Sequence, residues 1–198
     1  GYWQGNAFTA KRTWLYAYTP NGELQTVTLP GGSYWQLTLQ GLANASMFSG
    51  NSHSTCENNE ISHTPYSGTI RHPSGATASF TVTPTNHGRA GVQKDCTAYT
   101  VQSLGDNHGD VYWIDNRNPR QINQLSITTK TLTGPGLGTM TWRYEYSPEQ
   151  SSWKADCERG ASCVDTKTVD VVDPENNRVR YTFGTREQQN EGQLLKTE

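Results

Sequence analysis

Residues 105–110 read Gly-Asp-Asn-His-Gly-Asp, so Asp106, His108 and Asp110 alternate along the chain. On an extended strand alternate residues point to one side. Two carboxylates and an imidazole would then share a face, a donor set suited to a divalent metal. Asn and Gly interleave the three, which is also the composition of a turn. Such a short motif assigns no metal without structural support. His53, His63, His72 and His87 are scattered over polar stretches, and His72 directly precedes a proline. No Ser-His-Asp or Cys-His order emerges. Asp110 with Asp115 is a carboxylate pair on spacing alone. The residues point to structure or binding rather than to an enzyme, and no cofactor is expected.

Cysteine supplies the firmer chemistry. Four are present, Cys56, Cys96, Cys157 and Cys163. An even count in a chain rich in Thr, Asn and Gly favours two disulfides and an oxidising compartment. The expected pairs are Cys56–Cys96 and Cys157–Cys163, the second closing a short loop through Gly160. A zinc site is the rival, but no Cys-x-x-Cys spacing occurs. Aromatic side chains are the other candidates. Trp3, Trp35, Trp113 and Trp153 could stack on sugar rings, although aromatics at period two are more often core or cross-strand pairs. Asn44-Ala45-Ser46 is a glycosylation sequon, meaningful only in a eukaryotic secretory host.

These residues must be positioned by strands. Thr13–Tyr18 puts Trp14, Tyr16 and Tyr18 on one face, and Thr19-Pro20-Asn21-Gly22 suits a type I turn. Val27 and Leu29 precede the turn Pro30–Ser33, and Trp35, Leu37 and Leu39 alternate after it. Residues 13–39 thus read as a three-stranded antiparallel meander. Alternation returns around the turn His72-Pro73-Ser74-Gly75, at 111–115, at 124–133, and at 139–146, where Met140, Trp142, Tyr144 and Tyr146 share a face. A last hairpin joins Val169 and Val171 to Val179, Tyr181 and Phe183. Residues 40–63 and about 85–110 read as irregular. Thr185–Asn190 is the one weak helix candidate, and almost no helix is expected.

With 198 residues the chain can bury one core. Its charged fraction is 17%, so its polarity comes from Thr, Ser, Asn, Gln and Gly, the composition of a β protein. A formal charge of -2 without clustered Lys or Arg gives no reason to expect a nucleic-acid partner or an anionic membrane surface. No apolar run approaches a membrane helix, and the opening Gly-Tyr-Trp is not a signal peptide, which suggests a processed or excised chain.

Three stretches share one plan: TVTLPGGSYWQLTL (26–39), TIRHPSGATASFTV (69–82) and VDVVDPENNRVRYTFG (169–184). Each has a strand, a Pro-x-Gly or Pro-x-Asn turn, and an aromatic strand. Pro fixes φ on entry and Gly or Asn accepts positive φ later. This pattern resembles the RHS/YD-repeat family through Tyr16, Tyr18, Gly22, Leu24, Val27, Pro30 and Gly32. It does so again through Val172, Pro174, Asn176 or Asn177, Tyr181 and Phe183. Residues 190–198 resemble the start of a further repeat. The match is specific at 14–39 and 169–198 and loose at 67–84, while 40–66 and 85–138 read as insertions.

The resemblance implies a section of a long β-sheet that spirals into a hollow shell around a C-terminal toxin or effector segment, in a bacterial protein that is secreted, periplasmic or at the cell surface. Asp173-Pro174 continues as Glu-Asn-Asn, so the family's self-cleaving motif is not carried over. The expected fold is all-β: residues 1–198 as a single β domain of antiparallel hairpins in a curved sheet or sandwich, with long disulfide-tied loops. The expected partners are the remainder of the shell and its effector segment, with cell-surface glycans as the alternative, and neither nucleic acid nor a membrane span.

Overall fold

The computed structural model describes residues 2–9, 12–43, 45, 62–94, 96–101, 111–116, 120–160 and 163–198. The fold is all-β and mostly antiparallel. A hairpin of β1 (Tyr2–Gln4) and β2 (Ala7–Thr9) comes first. The meander follows as β3 (Leu15–Tyr18), β4 (Leu24–Thr28) and β5 (Tyr34–Thr38), then a helical turn α1 (Gln40–Ala43). Next are β6 (Tyr66–Arg71) and β7 (Thr77–Gly88), then a separate hairpin of β8 (Cys96–Val101) and β9 (Val111–Asn116). The rest is β10 (Gln121–Gly134), β11 (Leu137–Tyr146), the short helix α2 (Lys154–Glu158), β12 (Thr166–Val172), β13 (Arg178–Gly184) and β14 (Leu194–Thr197).

Ten of these strands form one sheet in the order β14-β13-β12-β11-β10-β7-β6-β5-β4-β3, all pairs antiparallel. Chain order is sheet order, with β8–β9 as an excursion between β7 and β10. Four hairpins use the same five-residue turn: Thr19–Glu23, Leu29–Ser33, His72–Ala76 and Asp173–Asn177. In each the fourth residue's N–H donates to the first carbonyl, at 2.9, 2.9, 2.9 and 3.0 Å, and the first N–H donates to the fifth carbonyl, at 2.8, 2.8, 2.7 and 2.9 Å. Proline stands second in all four. The fourth residue is left-handed: Gly22 at φ 85°, Gly32 at 86°, Gly75 at 90° and Asn176 at 64°. A type I turn closed by a left-handed residue sets a three-residue hairpin loop. The plan shared by the three sequence stretches is thus one backbone geometry, and Thr-Pro-Asn-Gly is a fourth copy.

In such a meander successive connections alternate between the two ends of the sheet. The tight turns at 29–33, 72–76, 134–137 and 173–177 fall at one end. The long connections 39–65, 89–120, 147–165 and 185–193 fall at the other, with the turn 19–23.

Register fixes the faces, since directly opposed residues point the same way. One face carries Leu37–Ile70–Ala78–Leu132–Met140 as a row across five strands, with Phe80–Lys130–Trp142 beside it. Lys130 Nζ sits 4.1 Å from the Trp142 ring centroid, so its charge rests on the indole face. The other face carries Thr38–Thr69–Ser79–Thr131–Thr141, a row of five hydroxyls. The apolar face is only half-buried. Among the described residues the buried apolar side chains are Ala90, Val92 and Val172, and the first two lie in a connection, not on the sheet.

Two expectations need correction. The stretch from 85 is not irregular: β7 continues to Gly88 and pairs with β10 from Gln121. Pro84 is compatible because β6 pairs with β7 only as far as Val82, leaving that side of Pro84 without a ladder. Thr185–Asn190 is not helical. Arg186 O accepts from the N–H groups of Gln189 and Asn190, and Gln188 at φ 56° breaks any helix. The short helices lie instead at 40–43 and 154–158.

The left-handed Asn176 gives a direct test. Asn176→Val should destabilise the chain by about 1–2 kcal/mol and Asn176→Gly should be nearly neutral, read as shifts in the urea midpoint.

Candidate functional site

Segments 89–94, 150–154 and 185–191 meet at one end of the sheet and bury Ala90 and Val92. Segment 89–94 runs parallel to two others, with bridges Ala90–Arg186 and Val92–Trp153. Ala90 N–H donates to Thr185 O at 2.9 Å, Lys154 N–H to Val92 O at 2.8 Å, and Ser152 N–H to Arg89 O at 3.0 Å. Ala90 and Val92 are fully buried between these neighbours. Gly88 and Gly184 end their strands here because the connections pass too close for a side chain. A Cβ at Gly88 would overlap the Gln150 backbone, and one at Gly184 would overlap Asn190.

Charge ties the same connections. Arg89 is bidentate to Glu191 at 2.6 and 2.9 Å and lies 3.6 Å from Glu187, and the Glu191 hydrogen bond raises its pKa above the ordinary arginine value. The pair is strong by geometry, since a guanidinium fork matches a carboxylate. Beside it Cys157–Cys163 is a disulfide with Cα atoms 4.9 Å apart, as the short-loop spacing predicts. Gly160 turns that loop at φ 74°. Ser152 Oγ lies 3.1 Å from Cys157 Sγ, fixing the loop over the buried segment. A cavity of about 400 Å³ opens here, lined by Gln93, Lys154, Glu158, Arg186, Glu187 and the left-handed Gln188 among others. Its lining carries both signs of charge and no nucleophile paired with a base.

A second cluster joins β7, β10 and β11. His87 Nε2 lies 2.9 Å from Ser126 Oγ, its ring meets Tyr146 edge-on at 5.7 Å, and Tyr146 O–H donates to Ile127 O at 2.8 Å. Burial, and secondarily the Lys167 charge, lowers the His87 pKa to about 4, so the ring is neutral at neutral pH. Serine and neutral histidine are the types a hydrolase pairs. Ser126 is 7% exposed and the adjoining void of about 10 Å³ holds at most about one water, so the pair seals the sheet rather than meeting a substrate. The sequence offered no sign of it, because residues 39 apart are joined only by the β7–β10 pairing.

The third cluster is on the hydroxyl face. Arg180 donates twice to Asp170, at 2.7 and 2.8 Å, and Arg178 donates once at 2.6 Å while also meeting Glu145 at 2.9 Å. Asp170 is buried beneath these arginines. The Arg180 and Arg178 hydrogen bonds outweigh its desolvation and lower its pKa to about 2.

The residues expected from sequence fare as follows. Asp106, His108, Asp110 and the Cys56–Cys96 pair lie outside the described residues, as do the side chains of Trp3 and Trp113. Among the described residues no group of three or more His, Cys, Asp or Glu is placed to hold a metal. Trp35 is half-buried with His72 edge-on at 4.5 Å. Trp153 is half-buried with Lys94 and Arg120 over its ring, at 5.6 and 5.0 Å. No helix among the described residues is long and apolar enough to cross a membrane. Comparison with known proteins adds no relative: no family model matches the sequence, and no match is found among curated proteins or solved structures.

Two tests follow. His87 takes a proton more readily unfolded, near pH 6.5, than folded, near 4, so stability should fall as pH drops through that window. Asp170 should hold its contribution above about pH 3.8 and lose it as pH falls through about 2. His87→Gln should flatten the upper window of urea midpoint against pH, and Asp170→Asn the lower one. Separately, Cys157→Ser with Cys163→Ser should cost roughly 2 kcal/mol, the entropy of so short a loop, measured by denaturation without reductant.

Proposed function

We propose that the chain is a structural section of an RHS/YD-repeat shell or scaffold in a secreted or cell-surface bacterial protein, one that encloses or presents a C-terminal toxin or effector segment. The observation that carries this reading is one Pro-x-Gly/Asn turn geometry used four times in a sheet whose strand order is chain order. A meander of this kind extends by adding hairpins, each covering the edge left by the last.

The edges support it. Among the described residues β3 and β14 each pair on one side only, and both are exposed along their length. Leu15 and Tyr16 are 61% and 57% exposed at one edge and Leu194 is 54% exposed at the other. Apolar edges of this kind are an aggregation liability in a free-standing module and are ordinary in an array where the next strand covers them. The Cys157–Cys163 disulfide fits an oxidising compartment, hence a secreted, periplasmic or surface location. The partners are then the rest of the shell and the effector segment.

Array-like stability is local, whereas a closed module fails as a whole. Deleting residues 1–30, which removes β1–β4, should leave β10–β13 with their amide hydrogen-exchange protection nearly unchanged and only β5 newly exposed. Loss of protection throughout the sheet would count against a repeat section.

A further inference from the structure

The tight-turn end carries a cleft that the apolar face does not share. The turns 29–33 and 72–76 stand side by side because β5 pairs with β6. Between them is a cleft of about 190 Å³ lined by Ser33, Tyr34, Gln36 and Arg71, with Gly32 and the His72-Pro73 pair completing the walls. Register puts Gln36 directly opposite Arg71, and Tyr34 two residues before Gln36, so all three project from the hydroxyl face.

The walls are fixed. Gly32 holds its turn at φ 86°, and His72 Nδ1 accepts from Ser74 N–H at 3.0 Å while lying 2.7 Å from Ser74 Oγ. Trp35 braces His72 from the opposite face. The groups between these walls are open. Tyr34 is 53% exposed. Among the described residues the Arg71 guanidinium has neither a carboxylate nor a hydrogen-bond partner, whereas Arg143 donates to Asn176 Oδ1 at 3.1 Å and Arg178 and Arg180 hold Asp170.

An exposed phenol face, an amide and an unpaired guanidinium within one small cleft match one ligand chemistry. The ring stacks on the C–H face of a pyranose, the amide meets hydroxyls, and the guanidinium takes a carboxylate bidentately. We infer that this cleft binds a carboxylate-bearing sugar, one pyranose unit filling it. The site stands on the β5–β6 pairing alone and does not depend on the shell reading.

Titration of the whole chain with D-glucuronate at low ionic strength, followed by amide chemical shifts, tests it. The expected result is saturable binding with shifts centred on residues 32–36 and 71–73, weaker by tenfold or more in Arg71→Gln and in Tyr34→Ala, and absent for D-glucose. Both side chains are exposed, so the variants should keep the parent's melting temperature. No saturation with D-glucuronate overturns the inference, as does binding undiminished in either variant. Acetate binding as tightly as D-glucuronate overturns it too, since that marks a site for a bare anion.

Discussion

The backbone ladder of a single antiparallel sheet is the constraint on which everything else rests. Most structured residues gain their order from pairing with a strand neighbour, not from burial in a shared interior. A half-buried face contributes less per residue than a packed core, so register must be set locally. The four Pro-containing turns do this. Each fixes where the next strand starts, and a slip of one residue would exchange the aromatic and hydroxyl faces. A left-handed fourth residue is therefore a requirement of the turn, met by glycine three times and by asparagine once.

The same topology divides the molecule into two ends. Alternation of connections puts four of the short turns at one end and the long connections, with the turn 19–23, at the other. At the second end Ala90 and Val92 are buried between two segments distant in sequence, clasped by Arg89 with Glu191 and by the Cys157–Cys163 bridge. The disulfide thus stands in for apolar area that such short segments lack. At the tight-turn end Val172 is the buried apolar side chain among the described residues, and the side chains of β5 and β6 next to their turns stay accessible. Arg71 and Tyr34 are open for that reason, while Arg178 and Arg180 are held by Asp170 from the adjacent strand.

Much of the fold was legible in the residues. Alternation at 14–39, 139–146 and 169–183 placed strands where they are, and Pro-x-Gly or Pro-x-Asn placed their turns. The pairing of Cys157 with Cys163 was legible because a loop that short leaves few alternatives. Less was legible of the sites. Pro84 interrupts a pattern that the backbone runs straight through, because the absence of a β6 partner at that point is a fact about another strand. The approach of Ser126 to His87 depends on the same long-range pairing.

What the sequence determined, then, is local: composition, alternation and turn chemistry specified an antiparallel β chain with repeated hairpins. Those signals act within a few residues, where φ preferences and side-chain period operate. The tertiary structure decided which face is open and which residues become neighbours. Alternation marks Trp35 and Tyr34 as opposite in direction, but only the placement of β6 packs His72 against the indole and leaves the phenol beside Gln36 and Arg71. That choice follows from strand order and register, which depend on contacts between segments far apart in the chain.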